Sequence, residues 1–185
     1  MTLFADVTGL FGLAGTALVV VILLQAFWHK TTAFWEVVGF ARDYDLIPES
    51  WTAPAVRGLA GAEAVAILLL LLPVTRPFGG LVAGVLFAGY GLAMFAALRA
   101  GKTSIQCGCG GPPQTISAVT LGRNAVLTLI ALGVAIVPSG QVVPVQAGAA
   151  VLVALTLWFA IIVLETLDAN RGQMRRAAAQ NAKKG

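Results

Sequence analysis

The 185-residue chain is 58% hydrophobic and only 11% charged, whereas an ordinary soluble domain contains about 25% charged residues. Together with a mean hydropathy of +0.88, this composition excludes a soluble globular enzyme. Several apolar runs are long enough to cross a bilayer, which predicts an all-α integral membrane bundle in contact with lipid. The formal charge of +4 in so apolar a chain indicates membrane orientation, and no basic and aromatic surface for nucleic acid is evident.

Five membrane-spanning helices are predicted, each close to the roughly 20 residues that a crossing requires. They cover 7–28, 58–74, 77–98, 118–137 and 145–164. Residues 1–164 then form one transmembrane domain with four core helices and a fifth C-terminal one, followed by a basic cytoplasmic tail at 165–185. The first run starts near Asp6 and lacks a small-residue cleavage site, so we expect a permanent span and not a signal peptide. Short connections at Arg76-Pro77 and at 137–140 predict tight helical hairpins.

The first loop, residues 30–57, is too long for a simple turn. Four apolar residues in it follow helical spacing, which predicts a short amphipathic helix in the membrane interface: Phe34, Val37, Val38 and Ala41. Four aromatic residues are expected to anchor this region at headgroup depth: Trp28, Trp35, Tyr44 and Trp51.

Small residues also recur at four-residue intervals in the third predicted helix, at Gly80, Gly84 and Ala88. This pattern is typical of close helix packing. We expect that packing within the chain and not at a dimer interface.

The distribution of Lys and Arg predicts the orientation. If the N-terminus lies outside, 11 of the 12 basic residues fall on the inner side and only Arg76 lies outside. Basic residues concentrate in cytoplasmic loops, so an N-out, C-in topology in the bacterial inner membrane is predicted. The third loop would then face the cytoplasm, although thiol chemistry for exported proteins usually finishes on the other side.

The first and third loops lie on the same face in either orientation, so polar residues from four segments are expected to converge there. This candidate pocket contains Gln25, Lys30, Glu63, Cys107, Cys109, Arg123 and Asn124. Ionisable residues within spans are usually paired, and the similar depths of Glu63 and Arg123 predict an ion pair between them. Glu63 is as consistent with a brace between helices as with a proton relay, and Gln25 and Asn124 are more often interhelical hydrogen-bonding residues.

Cys107 and Cys109, the only cysteines, are separated by Gly108. Two thiols so close in sequence can form only a small, strained disulfide ring, which should be easily reduced. Arg99, Lys102 and Arg123, nearby in sequence or topology, would favour the thiolate, the nucleophile of disulfide exchange. A metal site needs about four ligands and would require a second chain, since only His29 could add to the two thiolates. Idle loop cysteines are the remaining alternative, and no metal or bound cofactor is predicted.

Several motifs then occur in a fixed order: Lys30, Phe34, Tyr44-Asp45-Leu46-Ile47-Pro48, Glu63, Arg99-Ala100-Gly101-Lys102, Cys107-Gly108-Cys109-Gly110-Gly111, Ser117 and Arg123-Asn124. In these motifs the chain resembles the MauE branch of the DoxX/MauE redox-associated membrane proteins, named for methylamine utilisation. The resemblance covers roughly residues 13–136. The family usually reads Cys-Gly-Cys-Phe-Gly, and Gly110 stands here where phenylalanine is common.

The resemblance implies a thiol–disulfide carrier that works between a thioredoxin-like partner and an exported client. It assigns the redox pair to Cys107 and Cys109, whereas Glu63, Arg123 and Asn124 match the family without an assigned role. Thiols reached alternately from the two sides of the membrane would reconcile an export function with the cytoplasmic face that the charges predict.

Three other functions remain open at this point. The chain could be a non-enzymatic accessory or assembly subunit of a larger membrane complex. It could be a quinone-coupled thiol oxidase, although such an enzyme normally uses two dithiol pairs and this chain has one. Transport of a small solute is a more distant alternative, because the sequence shows no internal repeat or pair of broken helices.

Overall fold

The computed structural model describes residues 2–102, 116–137 and 144–182, without the side chains of 2–8, 144 and 175–182. All regular structure in these segments is helical: α1 (Thr2–Thr32), α2 (Phe34–Asp43), α3 (Glu49–Leu71), α4 (Arg76–Arg99), α5 (Ala118–Ile136) and α6 (Pro144–Ala182). Five of these helices, all except α2, are long and apolar enough to cross a membrane. The predicted helical membrane bundle is therefore confirmed.

The helix boundaries agree best where short connections limit the spans. The third and fourth predicted spans match α4 and α5 to within one residue. By contrast, α1 continues to Thr32 and α3 already begins at Glu49, with Pro54 inside the helix. α6 likewise extends through the predicted tail to Ala182. At these three ends the predicted bounds were too short, because apolar composition indicates where lipid surrounds a helix, whereas backbone hydrogen bonding continues beyond it. The predicted end of the second span, at 74, was instead three residues too long, since α3 ends at Leu71.

The core lies where α1, α3, α4 and α5 meet. Its most deeply buried side chains include Leu18, Val19, Leu23, Ala66, Phe87 and Leu127. α1 packs against α3, α5 and α6, while α4 packs between α3 and α5. α6 is covered mainly by α1 and leaves most of its apolar surface exposed. Such exposed apolar surface is suited to contact with lipid.

Glycines bring α4 into backbone contact with both neighbours. A Cβ atom at Gly79 would lie 2.7 Å from the backbone nitrogen of Leu70, and one at Gly80 would lie 2.7 Å from the carbonyl oxygen of Ala131. A Cβ at Gly84 would lie 3.1 Å from Leu132. The prediction of close packing within the chain is therefore confirmed at Gly80 and Gly84.

The predicted helix of the first loop is present as α2. Val37 and Val38 are buried against Val56 of α3, which fixes α2 on the outside of the bundle. Trp35 on α2 and Trp51 at the start of α3 are exposed, as anchors at headgroup depth must be.

The chain order places the connections at two ends of the bundle. One end, called the Lys102 end, carries the last turns of α1 and α4, the first turns of α3 and α5, and the later part of α6. The other, called the Arg76 end, carries the hairpin between α3 and α4. There Thr75 Oγ1 donates to the carbonyl of Leu69 at 2.9 Å, and Arg76 Nη2 donates to the carbonyl of Val137 at 2.8 Å. The predicted turn at 137–140 lies outside the described residues after Val137.

Candidate functional site

The two cysteines of the predicted redox pair, Cys107 and Cys109, lie outside the described residues. They belong to residues 103–115, called the cysteine segment. The residues on either side of this segment, Lys102 and Ile116, are described, and both lie at the Lys102 end. Four residues lie between Lys102 and Cys107, and six lie between Cys109 and Ile116. Lys102 and Ile116 are thus the described residues nearest to the predicted pair in the sequence.

Lys102, which lies before the cysteine segment in the sequence, is held in place by backbone and side-chain hydrogen bonds. Gly101 has a φ of +75°, and the amide of Lys102 donates to the carbonyl of Ala97 at 3.0 Å, so α4 ends in a tight cap that favours glycine. The Lys102 ammonium donates to the carbonyls of Asp43 at 3.1 Å and Tyr44 at 3.2 Å. These bonds connect the end of α4 to the end of α2.

Ile116, which lies after the cysteine segment in the sequence, is held in place by packing against α4. Its buried side chain packs against Met94 and Ala97 of α4. Ser117 then caps α5 by accepting from the amide of Thr120, and Thr120 Oγ1 accepts from the amide of Ser117 at 2.9 Å. This reciprocal pair satisfies backbone donors that a helix start otherwise leaves open. Both flanks of the cysteine segment are thus held at the last turns of α4.

A buried ionic network joins α1, α3 and α4 at the same end. Lys30 Nζ lies 2.8 Å from Glu63 Oε1, and the two side chains are only 4% and 0% exposed. Tyr90 donates its hydroxyl to the same Glu63 oxygen at 2.7 Å, and the Lys30 ammonium lies 5.1 Å from the centre of the Tyr90 ring. Among the described residues, Glu63 Oε2 is buried without a hydrogen-bond partner. The network therefore retains one buried carboxylate oxygen with unused capacity to accept a hydrogen bond from a group outside the described residues.

The predicted ion pair between Glu63 and Arg123 is wrong. Glu63 pairs with Lys30, because α1 remains helical to Thr32 and carries Lys30 alongside α3. Arg123 forms an ion pair with Glu165 of α6 instead. Glu165 was not among the predicted site residues. The only feature of the sequence that could have pointed to it is its position directly after the last apolar run.

Arg123 and Gln25 lie together in a second polar cluster. Trp158 of α6 donates its indole N–H to Gln25 Oε1 at 2.8 Å, and both residues line the same small cleft as Arg123 and Glu165. This cluster links α1, α5 and α6. The predicted pocket is thus divided into two groups at the same end of the bundle.

Asn124 belongs to neither ion pair. Its amide nitrogen donates to the carbonyl of Thr120 at 3.0 Å and lies 3.7 Å from Met94 Sδ. Successive residues of a helix point about 100° apart, so Asn124 faces α4 while Arg123 faces α6. Arg123 and Asn124 are therefore adjacent in the sequence, but their side chains point to different neighbouring helices.

An apolar cavity of about 210 Å³ adjoins the Lys30 network. It lies between α2, α3 and α4, with walls that include Val37, Tyr44, Val56 and Met94, and Lys30 and Tyr90 also face it. An ammonium carries three N–H donors, and one hydrogen bond from Lys30, to Glu63, is found in the described part of the chain. The cavity could therefore hold an apolar molecule that accepts a hydrogen bond from Lys30.

Comparison with known proteins identifies the family. The family model for methylamine utilisation protein MauE matches residues 8–138, more than two thirds of the chain. No solved structure shows a significant match.

Three curated relatives carry the name methylamine utilization protein MauE. The protein of Methylorubrum extorquens is 35% identical over 121 residues, which are 64% of this chain and 65% of the relative. The protein of Paracoccus versutus is 32% identical over 108 residues, 57% and 58% of the two chains. The protein of Methylophilus methylotrophus is 31% identical over 114 residues, 62% and 59% of the two chains. The alignments thus span about three fifths of each relative, and on the extent of the family match this chain belongs to the MauE family of membrane proteins.

Proposed function

We propose that this MauE-family protein is a membrane thiol–disulfide carrier with Cys107 and Cys109 as its redox pair. It passes two electrons between a thioredoxin-like partner and an exported client. The names of its relatives support a role in methylamine utilisation. The carrier lies in the plasma membrane with the N-terminus outside, in agreement with the distribution of Lys and Arg.

The observation that carries this proposal is the Lys30–Glu63–Tyr90 network at the end of the bundle where the cysteine segment is attached. Tyr90 lies one turn before Met94, which packs with Ile116 directly beyond the segment. A buried carboxylate oxygen without a hydrogen-bond partner in the described part of the chain is suited to act as a general base for a thiol that must ionise before it reacts.

Exchange then proceeds with balanced electrons and protons. A thiolate of a reduced partner attacks one sulfur of the Cys107–Cys109 disulfide and forms a mixed disulfide, and the released cysteine leaves as a thiolate. The partner's second thiol, once deprotonated, attacks the mixed disulfide. The partner becomes oxidised, and the carrier becomes a dithiol after taking up two protons. The basic groups of Arg99 and Lys102 near this segment favour the thiolate form of the released cysteine.

Single-cysteine variants test the carrier function directly. Cys107→Ser and Cys109→Ser each retain one thiol that can attack a partner but cannot resolve the mixed disulfide. We expect at least one of them to form a covalent complex with a thioredoxin-fold protein, which non-reducing electrophoresis and mass spectrometry would identify. The Cys107→Ser/Cys109→Ser double variant is the matched control. Absence of any disulfide-linked complex in both single variants would contradict the proposal.

Membrane-impermeant thiol labelling tests the orientation. In intact, reduced cells of the wild type, we expect Cys107 and Cys109 to resist labelling until the membrane is permeabilised. The double Ser variant controls for labelling of other proteins. Strong labelling without permeabilisation would contradict a static cytoplasmic location and would indicate reversed or alternating exposure.

The cavity beside Lys30 favours a second function, the oxidation of thiols by a lipid-soluble quinone. Because the Lys30 charge is already neutralised by Glu63, the cavity suits a neutral ring whose carbonyl accepts a hydrogen bond. One dithiol supplies the two electrons and two protons that convert a quinone to a hydroquinone, so the single cysteine pair satisfies the stoichiometry.

Reduction of a short-chain ubiquinone by the purified protein and dithiothreitol, followed by absorbance, tests this second function. We expect a rate above the uncatalysed reaction that falls in Lys30→Met and persists in Arg42→Met, since Arg42 is exposed on α2. A rate equal to the uncatalysed reaction would reject the oxidase and leave the carrier function to the trapping experiment.

A further inference from the structure

The Arg76 end of the bundle contains a buried cation that has no carboxylate partner among the described residues. Arg76 is only 7% exposed. The four ion pairs in the described part of the chain all involve other basic residues. Charged side chains within membrane helices are normally paired, so Arg76 requires a separate explanation.

Its hydrogen bonding is also incomplete within the described segments. A guanidinium carries five N–H donors. Nη2 donates to the carbonyl of Val137, while Nε is buried and has no hydrogen-bond partner in the part of the chain that the structure describes. The bond to Val137 at the end of α5 offsets part of the cost of burying the Arg76 charge, because the carboxyl ends of helices attract cations. The remaining N–H groups of the Arg76 guanidinium can still donate hydrogen bonds to a ligand.

Arg76 lines a cavity of about 390 Å³ between α1, α3 and α6. Apart from Arg76, the cavity walls are almost entirely apolar, with Leu13 and Val21 of α1 and Ala147 and Leu155 of α6 among them. From Leu13 to Val21, as from Ala147 to Leu155, the helix rise is about 12 Å. The cavity is therefore an apolar channel along the helices, with one cationic group near the Arg76 end.

We propose that this cavity binds an anionic phospholipid of the surrounding membrane. The phosphate accepts hydrogen bonds from the Arg76 guanidinium, whose planar fork matches phosphate oxygens, and an acyl chain occupies the apolar walls. This ligand supplies a negative charge for Arg76 and a hydrocarbon chain that covers the apolar walls. Basic pockets between transmembrane helices bind anionic headgroups on the cytoplasmic side of membranes, and the same pairing of guanidinium and phosphate applies at the outer side predicted for Arg76. The site lies at the opposite end from the cysteine segment and is independent of the proposed redox function.

Lipid retention on the purified full-length protein tests the site. Native mass spectrometry after incubation with equal amounts of phosphatidylglycerol and phosphatidylcholine would count the bound lipids. We expect about a fivefold preference for phosphatidylglycerol, the factor that one basic residue contributes at a membrane surface. Arg76→Gln should lose this preference. Arg99→Gln, an exposed arginine at the other end of the same helix, should retain it.

Two further measurements separate the remaining explanations. Ala147→Phe keeps Arg76 but fills the channel, and we expect it to lose the bound phosphatidylglycerol while α-helical circular dichroism stays unchanged. Inorganic phosphate alone should neither displace the lipid nor raise the melting temperature. Equal retention of both lipids by the wild type, an unchanged preference in Arg76→Gln, or full competition by inorganic phosphate would each contradict a phospholipid site.

Discussion

The Lys102 end contains two buried ion pairs that differ in their surroundings. Lys30 and Glu63 join helices within the 8–138 region that matches the family, and Lys30 also lines an apolar cavity. Arg123 lies in the same region, but its partner Glu165 belongs to α6, beyond that match. The comparison suggests that the first pair serves the chemistry of the site and that the second attaches α6 to the bundle.

The largest expected difference concerns stability. Lys30→Met leaves the Glu63 carboxylate buried without its cation, and removal of one partner of a buried pair destabilises by about 3 kcal/mol or more. The double variant Lys30→Met/Glu63→Leu should recover most of this loss, because neither charge remains. Unfolding in detergent, followed by circular dichroism, would measure both. A single variant as stable as the wild type would show that the pair makes no net contribution to folding.

The next difference concerns thiol exchange. Glu63→Gln keeps the shape of the side chain but removes the proton-accepting charge, and we expect exchange to slow about tenfold, a barrier increase of roughly 1.4 kcal/mol. Glu165→Gln is the matched variant of the second pair. Because Glu165 pairs with Arg123 and not with the Lys30 network, it should change the rate by less than about twofold. The assay is stopped-flow oxidation of the reduced protein by a small disulfide, the direction in which a cysteine thiol must lose its proton, restricted to protein that retains its helix content. Equal slowing in both variants would remove the distinction between the two pairs.

Tyr90→Phe gives a smaller effect without breaking the ion pair. The variant loses the hydroxyl that donates to Glu63 at 2.7 Å, which corresponds to about 1 kcal/mol. We expect exchange to slow about fivefold, with melting lowered by only a few degrees. If exchange were unchanged, the Tyr90 hydroxyl would be a structural contact and the candidate site would contract to Glu63 and Lys30.

The smallest effect is expected in the second cluster. Gln25→Leu removes the acceptor of the Trp158 indole N–H, and hydrogen bonds between membrane helices contribute about 0.6 kcal/mol on average. Stability should fall by about this amount while thiol exchange remains at the wild-type rate. A large loss of exchange would place Gln25 in the reacting site, contrary to its contact with α6.

The sequence predicted the helical bundle well because lipid imposes strong constraints on length and hydropathy. α4 and α5 were placed to within one residue, and α2 followed from the spacing of Val37 and Val38. The partners of the buried charges were not predictable to the same degree. Glu63 and Arg123 have similar depths, but depth does not specify the direction in which a side chain points around its helix. Lys30 was identified as a site residue, yet its pairing with Glu63 depends on α1 continuing four residues past its predicted end.

The glycine contacts of α4 limit how the helices of this bundle can move relative to one another. The backbones on either side leave no room for a Cβ atom at Gly79 or Gly80, so rotation of α4 by one residue would drive a side chain into α3 or α5. Tyr90 and Met94 on α4 therefore belong to a rigid three-helix unit. Alternating exposure of the thiols would therefore require another part of the bundle to move against this unit. The moving part would be either α2 alone or α1 together with α6. A crosslink between α3 and α4 should consequently leave turnover intact.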